Sequence, residues 1–126
     1  MHTNTAAQMQ ASMFLDTYCI QTHIERLIEQ YSMRADVMME CINAELNGIA
    51  SCEKQGGLFL WLRFSQDCDA RGLLKKCIRK DVVFVPGDPF YAKEPDRHTA
   101  RLNYSNATEE RIREGIHRIV QAYREA

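Results

Sequence analysis

The spacing of apolar residues changes character once in this chain, and that change limits what it can fold into. As far as Leu46 the apolar residues recur at helical intervals; from Ile49 they come in short runs divided by Gly, Pro and Asp. In the first part, Thr3, Asn4 and Thr5 offer N-caps, and Ala7, Ala11, Phe14 and Tyr18 fall on one helical face. A longer helix is expected over Thr22 to Leu46, with Ile24, Leu27, Ile28, Tyr31, Ala35, Met38, Ile42 and Leu46 as its apolar stripe. Asn47–Gly48 then ends it.

The second part reads differently. Leu58–Phe59–Leu60–Trp61–Leu62 follows Gly56–Gly57 and predicts a strand buried on both faces. Asp69 caps a helix to about Lys80, with Leu73, Leu74, Cys77 and Ile78 inward. Val82–Val85 is expected as the next strand, stopped by Pro86–Gly87, and a loop runs on to about His98. Thr99 to Ser105 alternates, with Ala100, Leu102 and Tyr104 on one face and Arg101 and Asn103 on the other. Asn106 or Thr108 caps a last helix whose stripe is Ile112, Ile116, Ile119, Val120 and Tyr123; Glu109 and Glu110 favour the dipole of its first turn. A short strand at Ala50 to Glu53 pairs beside the first. The fold class is α+β: a small, mostly antiparallel sheet with helices packed on one face, preceded by a helix and a long linking helix.

At 126 residues the chain is one domain's worth of sequence, able to bury about two-thirds of its unfolded surface. Yet the first helix has no sheet of its own, and the long helix carries more apolar surface than so small a sheet needs. A missing partner domain or a dimer partner explains both; a self-contained helix hairpin is the alternative.

A net charge of −1 gives no general pull towards nucleic acid or an anionic membrane. The five cysteines are odd in number and contain no Cys-x-x-Cys, so free thiols in a reducing, cytoplasmic setting are expected. Neither a secretory leader nor a membrane-length apolar run is visible.

There is no Gly-x-x-x-x-Gly-Lys and no Gly-x-Gly-x-x-Gly. His2, His23, His98 and His117 lack ligand spacing, so no metal site is expected. Ser51–Cys52–Glu53–Lys54 matches Ser-x-x-Lys, a pattern of penicillin-binding enzymes, but lies at a strand edge and not at a helix start; a surface lysine is the better reading.

The informative segments are Gln55–Gly56–Gly57–Leu58–Phe59–Leu60–Trp61–Leu62, then Val83–Phe84–Val85–Pro86–Gly87–Asp88–Pro89–Phe90–Tyr91, then Arg101–Leu102–Asn103–Tyr104–Ser105–Asn106, closed by the helix around Glu110–Gly115–Ile116. In this order and spacing they resemble the C-terminal part of class I/II, fold-type I aminotransferases, particularly the 2-aminoadipate/aromatic-type branch. That branch reads Gly-Gly-Met-Phe-Leu-Trp, Val-Pro-Gly-x-x-Phe and Arg-Leu-x-Phe-Ser. His2–Gln8 is similar to the family's stretch after its cofactor lysine.

The resemblance implies a domain plan: residues 1–48 as a helical segment linking to a large domain outside this chain, and 49–126 as the small domain. It implies that Arg101 binds the substrate α-carboxylate, for which a guanidinium fork suits. Gly56 and Gly57 fit a place where backbone passes close to something, by resemblance the mouth of the site, and Phe59 reaches the pocket or is a core aromatic. Phe90 and Tyr91 lie near the entrance, or form a loop packing cluster. The parent family uses pyridoxal 5′-phosphate (PLP) on a lysine to move an amino group between an amino acid and a 2-oxo acid, as a homodimer. Lys54, Lys75, Lys76, Lys80 and Lys93 lack the family's lysine context, so no catalytic or cofactor-binding residue is expected here. The expected function is the C-terminal part of such an enzyme, inactive alone. The alternative is a freestanding carboxylate-binding, interaction or regulatory module derived from that domain.

Overall fold

Residues 31–46 are where a helix first acquires an inside. In α2 (Ile20–Glu45), Ala35, Met38, Cys41 and Ile42 are buried, followed by Leu46 just past its end. These positions recur every three or four residues, as a single buried stripe requires. The structure, a computed structural model, describes residues 3–54 and 56–125; Met1, His2, Gln55 and Ala126 lie outside the described residues. The chain divides into two units, Met1–Gln30 and Tyr31–Ala126.

The first unit holds α1 (Thr5–Thr17) and the opening turns of α2. Asn4 caps α1, its side chain accepting from the Ala7 N–H at 3.2 Å. No residue of α1 is buried, and Met9, Met13, Phe14 and Leu15 are exposed. The expected stripe of the long helix holds only in its second half: Ile24 and Ile28 are exposed, and Leu27 is half-buried.

The second unit carries a four-stranded sheet in the order β1-β2-β4-β3, built from β1 (Ala50–Glu53), β2 (Phe59–Phe64), β3 (Val85–Pro86) and β4 (Thr99–Asn103). Every pairing is antiparallel. Helix α3 (Ala70–Ile78) connects β2 to β3, and β4 enters between those two strands. Leu60 lies opposite Leu102, Leu62 opposite Ala100, and Ala50 opposite Phe64. Those residues join one core with the buried stripes of α2, α3 and α4 (Glu109–Arg124), so the helices cover a single face. Ile112, Ile116, Ile119 and Val120 of α4 are all buried, each worth about 1.5–3 kcal/mol of transfer free energy. Thr108 caps α4 and Asp69 caps α3, as their residue types allow.

Three further expectations need correction. Strand β2 is not buried on both faces: Leu60, Leu62 and Phe64 are buried, Phe59 and Trp61 half-buried, and Arg63 exposed. An antiparallel sheet with helices on one side produces that alternation. Ile78 is 53% exposed rather than inward, because α3 turns Ala70, Leu73 and Cys77 into the core, with Leu74 packed partly buried against it. The run Val82–Val85 is not a strand, since only Val85 and Pro86 pair. Its start is used to end α3: the Asp81 N–H donates to the Ile78 carbonyl and the Val82 N–H to that of Cys77, with Asp81 at φ 57°. Phe84 then turns into the core beside Phe64, leaving Val83 outside. A two-residue edge strand accommodates Pro86.

Two contacts set the loops against the sheet. The Tyr104 hydroxyl donates to the Gly57 carbonyl at 2.7 Å. The Gly87 N–H donates to the Thr99 carbonyl at 2.8 Å, and a Cβ on Gly87 would stand 2.1 Å from Thr99 Oγ1 and 2.9 Å from the Trp61 ring. Before β4, Asp96 accepts from the His98 N–H at 2.9 Å and pairs with Arg63.

Urea unfolding of Tyr104→Phe should show a loss of about 1 kcal/mol. Gly87→Ala should cost more, on the order of 1–3 kcal/mol, because Thr99 is fully buried and has no room to retreat. The His98 N–H and the Arg63 guanidinium hold the Asp96 carboxyl below its ordinary range, against a smaller opposing effect of burial. A carboxyl with a depressed folded pKa stabilises the fold above its unfolded pKa and loses that contribution as pH falls through the folded value. Asp96→Asn should therefore flatten the stability curve below about pH 4, with little change in its shape at neutral pH.

Candidate functional site

The sheet face away from the core carries an arginine among aromatic rings. Register places Trp61 opposite Arg101 on one side and Val85 on the other, so Arg101 stands on an interior strand. Its guanidinium carbon lies 4.1 Å from the centre of the Phe59 ring and 4.7 Å from that of Phe90. Trp61 meets Phe90 edge-on at 5.9 Å and Tyr91 at 6.2 Å. Phe90 closes a 310 turn, Asp88–Phe90, whose chain folds back over the sheet after Gly87.

The electrostatics of this cluster are incomplete. Arg101 Nε is buried, and among the described residues it has no hydrogen-bond partner and no carboxylate pairs with Arg101. Two ring faces offset part of the cost of desolvating a cation. They offer no acceptor, so the arrangement suits an anion with in-plane oxygens, which a guanidinium binds through paired hydrogen bonds.

The structure brings together Arg101 and Phe59, both named from sequence. Gly57 is two residues before Phe59, and its carbonyl is held by Tyr104. Among the described residues a Cβ on Gly56 or Gly57 would meet nothing within 4 Å, so no close backbone approach within this chain calls for glycine there. Their φ values, 88° and 77°, are what require glycine. Phe90 and Tyr91 are both in the cluster, Phe90 against the guanidinium and both against Trp61. The sequence reading places Trp61 in the strand but not in the site, although its period-two spacing from Phe59 is a usable signal. Asp88 and Arg71, which pair at 2.8 Å beside the turn, carried no signal, because no local pattern joins residues 17 apart.

The remaining reactive groups lie elsewhere. Burial pushes the Cys77 thiol up to about 11 and raises Cys41, Cys52 and Cys68 as well, so these thiols are poor nucleophiles near neutrality. All five cysteines are free. His98 Nδ1 lies 2.9 Å from the Cys68 carbonyl, and His117 pairs with Glu45 at 3.0 Å. A surface hollow of about 960 Å³ is lined by Glu45, Glu109, Glu110, Arg111, Arg113, Glu114 and His117 and does not include Arg101. Four of its charged groups are in ion pairs, His117 with Glu45, Arg113 with Glu40 and Glu114 with Arg118, whereas Arg101 has a buried donor without an acceptor, so the aromatic cluster is the better candidate site. Among the described residues no group of three or more His, Cys, Asp or Glu could hold a metal, and no helix is long and apolar enough to cross a membrane.

An aldehyde cofactor needs an amine poised in a pocket. Lys54 instead pairs with Asp36 at 2.7 Å and donates to Ser32, Lys80 pairs with Glu125 at 2.5 Å, and Lys76 donates to the Glu125 carbonyl. These amines do not fit that role. Lys54, at the end of the Ser-x-x-Lys pattern, is the surface lysine its strand-edge position suggested.

The family described as "Aminotransferase class I and II" matches residues 1–119. An aromatic-amino-acid aminotransferase 1 of Thermococcus litoralis is 33% identical over 124 residues, 98% of this chain and 30% of the relative. The solved α-aminoadipate aminotransferase LysN of Thermus thermophilus, complexed with N-(5′-phosphopyridoxyl)-L-leucine, superposes with TM-score 0.76 at 30% identity, covering 82% of this chain and 27% of that one. A kynurenine aminotransferase of Pyrococcus horikoshii, in complex with PMP, gives TM-score 0.78 at 30% identity over 90% of this chain and 29% of that one. The chain thus spans about 30% of the length of the curated relative and less than a third of each solved structure. With that match over nearly all its residues, and with the sheet and helices of these enzymes' corresponding portion, the chain belongs to the class I and II aminotransferase family.

Proposed function

We propose that this chain supplies the C-terminal small domain of a PLP-dependent aminotransferase, and that Arg101 binds the α-carboxylate shared by its amino-acid and 2-oxo-acid substrates. The observation that carries the reading is the Arg101 guanidinium: buried at Nε, unpartnered there, fixed on an interior strand and covered by Phe59 and Phe90. An incoming carboxylate meets paired donors in surroundings that the rings keep poor in water, where a charge-assisted bond is stronger than in bulk solvent. Binding there fixes the end of the substrate next to the carbon that changes its amino group. Orientation of that kind is what a carboxylate clamp contributes to rate.

The remaining roles follow from this assignment. Phe59 excludes water from one side of the ion pair, and the Gly56–Gly57 turn delivers Phe59 to β2. Residues 1–48 link the small domain, residues 49–126, to a large domain outside this chain. That large domain holds the cofactor, and the intact enzyme is a homodimer.

Titrating the isotope-labelled chain with phenylpyruvate, with its methyl ester as a neutral control, tests the clamp. The acid should move the Arg101 Nε–H and Phe59 resonances, and the ester should not. Arg101→Gln removes the charged fork and should weaken binding by about tenfold or more, from the ~1.5–3 kcal/mol of a charge-assisted pair. Arg101→Lys should fall between the two, keeping charge without the fork. Equal binding by wild type and Arg101→Gln would end the assignment. Reading the DNA upstream of the Met1 codon separates the enzyme from a freestanding module: an in-frame Ser-x-x-Lys followed by Gly-x-Arg-x-Gly supports the former, and a stop codon with a ribosome-binding site the latter.

A further inference from the structure

Phe90 reaches Arg101 only because the turn that carries it stays down on the sheet. The backbone holds that turn lightly. β3 contributes two residues, Gly87 donates one hydrogen bond to Thr99, and the turn's own bonds from Phe90 and Tyr91 are local. The turn opens with Asp88, whose side chain is only 14% exposed. One carboxylate oxygen accepts from Arg71 Nε at 2.8 Å; the other is buried with no partner among the described residues. Arg71 stands in the first turn of α3, where the helix dipole disfavours a cation, so its placement there is explained by Asp88 and not by the helix.

A carboxylate withdrawn from water with one cationic partner is costly to leave unpaired. If Arg71 is lost, the charge recovers solvation by moving outward, and the turn moves with it. Phe90 is two residues further on and would leave both the Arg101 guanidinium and the Trp61 ring. We propose that the Arg71–Asp88 ion pair is a latch that sets the Phe90 ring over Arg101, which makes Arg71 and Asp88 positioning residues for carboxylate binding. The second half of this proposal rests on Arg101 being the carboxylate clamp.

The chain's single tryptophan, Trp61, touches Phe90 and Tyr91, so its emission reports the turn directly. The Arg101 Nε–H resonance, shifted by the two rings, reports Phe90 independently of any ligand. The variants are Arg71→Ala, Asp88→Asn, the double variant, and Arg79→Ala as an exposed control at the C-cap of α3. Arg71→Ala should red-shift Trp61 emission, move the Arg101 Nε–H towards its unstacked position, and weaken phenylpyruvate binding by about fivefold. Adding Asp88→Asn removes the charge that seeks water and should restore both spectroscopic signals towards wild type. Arg79→Ala should change none of the three. A pair that only adds stability predicts no such recovery. Should Arg71→Ala not fold, Arg71→Gln removes the charge more gently and is read in the same way.

Wild-type signals in the folded Arg71 variant, or no recovery in the double variant, would overturn the latch. Failure of wild type itself to bind phenylpyruvate would remove the clamp reading, while emission and the Arg101 resonance would still decide whether the latch exists.

Discussion

The register between β2 and β4 is the constraint on which the second unit depends. Pairing Leu60 with Leu102 and Leu62 with Ala100 commits one face of both strands to the helices. The same pairing commits Phe59, Trp61 and Arg101 to the other face, because side chains alternate along a strand. A slip of one residue would turn one strand over relative to the other, sending either Arg101 into the core or Leu60 to the outside and separating Arg101 from Phe59 and Trp61. Core packing therefore sets the register, and the register sets the candidate site. Among the described residues no salt bridge holds Arg101; the hydrophobic burial of its strand neighbours holds it in place.

The far face is completed by a segment that is barely a strand. Gly87 lets the chain pass within bonding distance of Thr99, and the following turn folds Phe90 and Tyr91 over Trp61. Burying a guanidinium edge without an acceptor is unfavourable unless something compensates, and the two aromatic rings do so only in part. A sheet face that carried out no binding would have little reason to keep that cost. The uncompensated Nε is the structural sign that this face awaits an anion under the proposed reading.

Much of the fold was legible in sequence because its determinants are local. Asn4, Asp69 and Thr108 each cap the helix that follows them through their own side chains, and the α4 stripe reads directly from its spacing. The alternation of Ala100, Leu102 and Tyr104 likewise identified the inner face of β4. Legibility failed where one segment served two neighbours. Val82 has strand propensity, yet its N–H closes α3, and Phe84 is drawn into the core. Leu58–Leu62 reads as uniformly apolar, and nothing in that run says that helices cover only one side of it. In the site, Arg101 and Phe59 were named through family resemblance. Trp61 and the Arg71–Asp88 pair were not named, since their partners are set by sheet register and by the path of the 85–91 segment.

The sequence by itself determined the helix caps, the change from helical to strand periodicity at Ile49, and the family to which the chain belongs, because each is carried by neighbouring residues or by short segments in a set order. Only the tertiary structure decided that β4 lies between β2 and β3, that Arg101 sits beneath Phe59 and Phe90, and that Asp88 is buried against Arg71. Those are contacts between segments far apart in the chain, and they form only after burial of one common core has chosen which face each segment turns inward.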